Sequence, residues 1–76
     1  MREGKYFIGF SHPCECKDVE VLDCTIEEAQ IRCVKQFHEW LKSGAILTVK
    51  GVSNDMGTPG DTLCSLSMHT GKWEEA

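Results

Sequence analysis

Residues 25–44, TIEEAQIRCVKQFHEWLKSG, contain a start signal, an apolar stripe and a stop signal for one amphipathic helix. The Thr25 hydroxyl can accept a hydrogen bond from the first turn, and the Glu28 carboxylate can accept one from the Thr25 N–H, which is the capping-box arrangement. Gly44 can adopt the left-handed conformation that ends a helix. We therefore predict a helix over residues 25–43 that lies against a second layer.

The apolar residues of this segment fall on one side of a helix at about 100° per residue. Charged residues fall on the opposite side, so the helix is expected to bury one face. The residues predicted to face inward are Ile26, Ala29, Cys33, Phe37, Trp40 and Leu41, with Val34 at the edge.

The chain before the helix has the period of two that is typical of strands. Residues 5–10 are aromatic and β-branched, and residues 18–22 alternate apolar with charged side chains. These two segments can pair as a hairpin closed around residues 12–17. The side chains of the first strand predicted to share one face are Tyr6, Ile8 and Phe10.

The chain after the helix has the same periodicity. Residues 45–52 predict a third strand and residues 62–69 a fourth, separated by a turn-rich loop over residues 53–61. Trp73 is expected to start a short fifth strand or to pack on the edge of the core. The side chains predicted to face inward are Leu47, Val49, Cys64, Leu66 and Met68.

This order of elements predicts an α+β fold, a two-layer ββαββ arrangement with one amphipathic helix packed on an antiparallel sheet. Seventy-six residues are expected to form one domain, residues 1–76. The 41% hydrophobic and 26% charged content is that of a folded chain rather than a disordered one. No apolar run approaches the roughly 20 residues of a membrane span, so we expect a cytoplasmic protein with no membrane partner.

The formal net charge is −4, from 12 acidic and 8 basic residues. The basic residues are scattered singly, which argues against direct binding of nucleic acid, because phosphate recognition needs clustered cations. An acidic surface favours a protein partner with a basic surface. The residues predicted to contact this partner are Glu15, Asp18, Glu20, Asn54, Asp55 and Asp61.

Five cysteines and no Cys-x2-Cys pair occur in the chain. His12, Cys14 and Cys16 group at the predicted hairpin tip and could bind zinc if Cys24 supplied a fourth ligand. However, Cys24 follows the second strand and is expected about 20 Å from the tip. We therefore predict no metal and no cofactor, and keep the zinc site as an alternative. The cysteines predicted to be core residues are Cys24, Cys33 and Cys64.

No catalytic constellation is evident in the sequence. The Gly-rich segment over residues 57–60 lacks the lysine and the following helix of a phosphate-binding loop, so an enzyme is not predicted. We predict a small acidic protein-binding module that occupies a surface of a larger macromolecule. It would act as an inhibitor or adaptor, for example a viral antagonist of a host protein that handles nucleic acid. The alternatives are a small zinc-binding module and a self-associating structural protein, so both a monomer and a homodimer stay open.

Overall fold

The computed structural model of the chain describes residues 4–53 and 57–75. One helix packs on a five-stranded antiparallel sheet, which confirms the predicted α+β fold and its ββαββ order with a fifth strand added. The sheet order is β2-β1-β3-β4-β5, so β2 and β5 form its two edges. The elements are β1 Gly4–His12, β2 Glu15–Cys24, α1 Ile26–Lys42, β3 Ile46–Val52, β4 Pro59–Leu66 and β5 Trp73–Glu75.

The predicted capping box is present at the start of α1. The Glu28 N–H donates to Thr25 Oγ1 at 3.2 Å, and the Thr25 N–H donates to Glu28 Oε1 at 2.9 Å. These bonds satisfy two backbone donors that have no partner inside the helix. At the other end, Gly44 has a φ of 97°, which confirms its role in stopping the helix. Both signals lie within 20 residues of sequence, which is why sequence patterns locate this helix well.

The core lies between α1 and the central strands β1 and β3. The Phe10 ring stacks on Trp40 with a centroid distance of 4.4 Å and meets Phe37 edge to face at 5.2 Å. This aromatic group fixes the C-terminal half of the helix over the sheet. The predicted inward residues that are fully or almost fully buried are Ile8, Phe10, Ala29, Cys33, Phe37, Leu47, Val49, Cys64 and Leu66.

The first hairpin is tighter than predicted. Strand pairing continues to His12 and Glu15, which leaves only Pro13 and Cys14 in the turn instead of residues 12–17. The His12 ring lies edge to face against Trp40 with a centroid distance of 5.3 Å. This contact and the backbone pairing keep the end of the hairpin regular, where the sequence indicated a broad loop.

The fourth strand runs over Pro59–Leu66 and not over residues 62–69 as predicted. The chain turns directly after it, and the Gly71 N–H donates to the Ser67 carbonyl at 2.8 Å on the way to β5. Met68 lies in this turn and is 60% exposed, so its predicted inward position is wrong. The alternation of apolar and polar residues continues past the end of the strand at Leu66. This pattern alone does not show that a hydrogen-bonded turn begins there.

Gly9 lies in the middle of β1, where the sheet leaves no room for a side chain. A Cβ atom at this position would lie 1.8 Å from the Lys17 carbonyl oxygen and 2.8 Å from Asp18 Oδ1. The oxygen of Lys17 belongs to the backbone of β2 and cannot rotate away. The close approach of β1 and β2 therefore requires glycine at this position.

We expect Gly9→Ala to lower the free energy of unfolding by at least about 2 kcal/mol, because a methyl group there forces the two strands apart. Urea denaturation followed by circular dichroism measures this loss. Gly4→Ala is the matched control, since it lies in the same strand and its Cβ would meet nothing within 4 Å. Equal effects of the two substitutions would contradict the steric argument.

Phe37 is 4% exposed and lies at the centre of the buried face of α1. We expect Phe37→Ala to lower the free energy of unfolding by about 3–5 kcal/mol, because it removes a large side chain from a closed core. Thermal or urea unfolding measures the change, and a loss below about 1 kcal/mol would contradict this role. Gln36→Ala, at an exposed position of the same helix, is the control and should change stability much less.

Candidate functional site

The edge strand β2 carries more acidic residues than any other described element. Among the described strands it is hydrogen-bonded only to β1, so its other edge faces outward over a length of ten residues. Three of the predicted partner-contact residues lie on this strand and all are exposed. The acidic side chains of β2 are Glu15, Asp18, Glu20 and Asp23.

Two of these carboxylates form ion pairs with lysines of β1 and β3. Lys5 Nζ lies 2.6 Å from Glu20 Oε2, and Lys50 Nζ lies 3.4 Å from Asp18 Oδ2. Lys50 belongs to β3, so its ion pair reaches across β1. The crossing is possible because Gly9, the β1 residue paired with Asp18, has no side chain to block it. The negative potential of β2 is therefore partly neutralised at its centre.

Phe7 lies beneath these charges on the face of the sheet opposite to α1. Phe7 is only 8% exposed, although no helix of the described residues covers this face. Glu20 and Lys50 flank Phe7 directly on the neighbouring strands, and the aliphatic part of a lysine side chain can cover an apolar surface. The sequence prediction did not assign Phe7 to a buried position. The uninterrupted apolar run over residues 6–8 was the only available signal.

The predicted partner-contact residues do not form one surface. Glu15, Asp18 and Glu20 lie together on β2, whereas Asp61 lies on β4, three strands away. At about 4.8 Å per strand, this separation is about 14 Å across the sheet. Asn54 and Asp55 lie outside the described residues. The acidic surface is therefore centred on β2, and Asp61 is separate from it.

The structure does not bring together the four residues of the alternative zinc site. The His12 ring contacts Trp40 on the helix side of the sheet, and its Nδ1 accepts a hydrogen bond from the Cys14 N–H at 3.1 Å. Cys16 pairs with Ser11 and therefore projects from the opposite face, while Cys24 is buried at the far end of β2. Within residues 4–53 and 57–75, no group of three or more His, Cys, Asp or Glu side chains is arranged to hold a metal ion.

The cysteines predicted to be core residues are buried as expected. The Cys33 thiol lies 3.4 Å from the Gly9 carbonyl oxygen and 3.6 Å from that of Thr48, and burial raises its pKa to about 11. Burial likewise raises the pKa of the Cys64 thiol, whose sulfur accepts a hydrogen bond from Gln30 Nε2 at 3.2 Å. A raised pKa reduces the thiolate fraction, so these thiols are poor nucleophiles.

We expect a thiol reagent such as a disulfide-exchange chromophore to modify only Cys14 and Cys16 rapidly in the native protein at about pH 8. The other three thiols are buried and should react only after unfolding. Peptide mapping after a short reaction identifies the modified positions. Rapid modification of Cys33 or Cys64 in the folded protein would contradict their burial.

A second surface lies on the opposite half of the sheet, between α1 and β5. This open groove has a volume of about 310 Å³. Ile31 lies at the rim of the groove and is 57% exposed. Together with Val34, it extends the apolar stripe of α1 away from the core. The sequence prediction placed Val34 only at the edge of the stripe and assigned Ile31 to neither side. The residues that line the groove are Gln30, Ile31, Val34, Lys35 and Trp73.

Comparisons of the chain with protein-family models, with curated proteins and with solved structures find no significant match. Any functional inference therefore rests on the geometry of β2 and of the groove. In the part of the chain that the structure describes, no helix has both the length and the apolar character needed to cross a lipid bilayer.

Proposed function

We propose that this chain is a small protein-binding module, an inhibitor or adaptor, that takes up an extended basic segment of a larger protein along β2. The observation that carries this proposal is the outward edge of β2, which is ten residues long and carries four acidic side chains and one basic side chain, Lys17. An exposed strand edge binds a partner strand through main-chain hydrogen bonds. The acidic side chains on the two faces of β2 then favour a partner segment with positive charge.

The regular part of the edge runs from Glu15 to Val21. Within it, the pairing of β2 with β1 keeps its register, and a bulge follows between Val21 and Cys24. Asp23 has a φ of 54° in this bulge, a conformation that aspartate tolerates better than most residues. The bulge ends the regular edge, so the available length suits a partner segment of about seven residues.

The two ion pairs of β2 permit binding of a basic partner. Both pairs are partly exposed, and such pairs contribute about 0–1 kcal/mol to stability. A carboxylate can accept from more than one cation at once. Lys5 therefore holds Glu20, and Lys50 holds Asp18, without preventing contact with an incoming lysine or arginine.

The same charges disfavour pairing of β2 with its equivalent in a second copy. Antiparallel pairing centred on residues 18 to 20, with side chains matched face to face, places Asp18 or Glu20 opposite another carboxylate. Like charges in directly opposite positions are destabilising. The edge is thus better suited to a basic segment of a different protein than to self-association.

The proposal is tested by affinity capture with the purified, tagged chain and the variant Asp18→Asn/Glu20→Gln. We expect the unmodified chain to retain a basic protein from cell lysate at low salt and to release it at about 0.5 M salt, because screening weakens exposed charge contacts. The variant should lose this protein, because it leaves Lys5 and Lys50 without their partner carboxylates. Mass spectrometry identifies the retained protein.

The control variant is Glu39→Gln/Glu74→Gln, which removes the same number of charges from exposed positions away from β2. It should retain the protein as the unmodified chain does. Circular dichroism confirms that both variants remain folded. Equal capture by the two variants, or capture that does not respond to salt, would contradict binding along β2.

A further inference from the structure

One helix is too narrow to cover a sheet of five strands. Four spacings of about 4.8 Å give a sheet about 19 Å wide, whereas a helix with its side chains is about 10–12 Å across. Helix α1 packs chiefly on β1 and β3, which lie to one side of β4 and β5 in the sheet order. A strip beside the helix, over β4 and β5, is therefore left open, and the groove lies there.

The groove is apolar at its centre. Val34 and Ile31 form one wall on α1, and Trp73 of β5 forms the other. Trp73 is partly buried against the core, so the wall it forms is fixed in position. More than half of the Ile31 side chain is in contact with solvent. Ile31 and the groove therefore form one continuous apolar surface beside the helix.

The charges around Ile31 are arranged symmetrically along the helix. Glu27 precedes Ile31 by four residues and Lys35 follows it by four, so the three side chains form one row on the helix surface. Both charged residues are exposed, and neither forms an ion pair within the described residues. From the N-terminal to the C-terminal end of the helix, the row is therefore negative, then apolar, then positive.

We propose that this surface is the contact between two copies of the chain, paired through antiparallel α1 helices about a two-fold axis at Ile31. In this arrangement Ile31 of one copy lies against Ile31 of the other. Each Glu27 then lies beside Lys35 of the other copy, so the Glu27–Lys35 pair occurs twice by symmetry. Parallel helices would instead place Glu27 against Glu27 and Lys35 against Lys35.

The row of charges is what selects a second copy as the occupant. Two negative-apolar-positive rows are complementary in charge only when they run in opposite directions. A two-fold axis produces this arrangement. Ile31 of each copy also brings an apolar side chain to the other copy's groove, beside Trp73. This contact lies beside the β5 edge and leaves the β2 edge accessible, so it is independent of the function proposed above.

Sedimentation equilibrium of the full chain tests the proposal, over about 10 μM to 1 mM protein and in excess reductant to prevent disulfides between Cys14 or Cys16 of different chains. The mass should rise with concentration from 8.5 kDa toward twice that value. We expect Ile31→Lys to raise the dissociation constant at least about tenfold, because it places a charge on the axis. Met68→Lys, at another exposed apolar residue, is the matched control and should leave the constant unchanged.

Charge reversal tests the antiparallel pairing. Glu27→Lys and Lys35→Glu should each raise the dissociation constant about two- to tenfold, and the double variant should restore the original value, because it exchanges the two partners of each pair. Circular dichroism confirms that each variant is folded. A monomer at all concentrations, equal effects of Ile31→Lys and Met68→Lys, or no restoration in the double variant would each overturn the proposal.

Discussion

The contact between α1 and strands β1 and β3 is the constraint on which the rest of the structure depends. Ala29, Cys33 and Phe37 fill the space above these central strands, and Phe10 and Trp40 close it at one end. Because a single helix supplies the whole second layer, it can cover only the middle of the sheet. The open groove between α1 and β5 follows from this limited coverage.

On the face of the sheet opposite to α1, charged side chains cover apolar surface that a second apolar layer would otherwise cover. Phe7 is almost fully buried there beneath Glu20 and Lys50. The Lys50 ion pair reaches Asp18 across β1 because Gly9 has no side chain. The same carboxylates therefore cover an apolar ring and define the acidic edge of β2. A solvent-facing sheet surface can thus be polar in composition and still bury an aromatic residue.

The two edges of the sheet differ in what they can bind. The β2 edge is long and acidic, and its charges oppose pairing with a second copy of itself. The β5 edge is only three residues long, but it stands beside an apolar groove bordered by Ile31 and Trp73. The β2 edge is the surface that we propose binds a basic segment of another protein, and the groove beside β5 is the surface that we propose contacts a second copy. In the sheet order, the two surfaces lie on opposite sides of β1 and β3, the strands on which α1 chiefly packs.

The helix, its capping box, its end at Gly44 and the class of fold could all be read from the sequence, because each depends on residues within a few positions of one another. The buried positions of Cys33, Phe37, Leu47 and Leu66 follow from the same local periodicity. Of the residues predicted to contact a partner, Glu15, Asp18 and Glu20 lie on β2, whereas Asp61 lies three strands away.

Strand order, the burial of Phe7, the need for glycine at position 9 and the groove beside Ile31 were decided by tertiary structure alone. Each of these depends on residues that are distant in sequence, and the strand order that brings such residues together is not encoded in the period of any single segment.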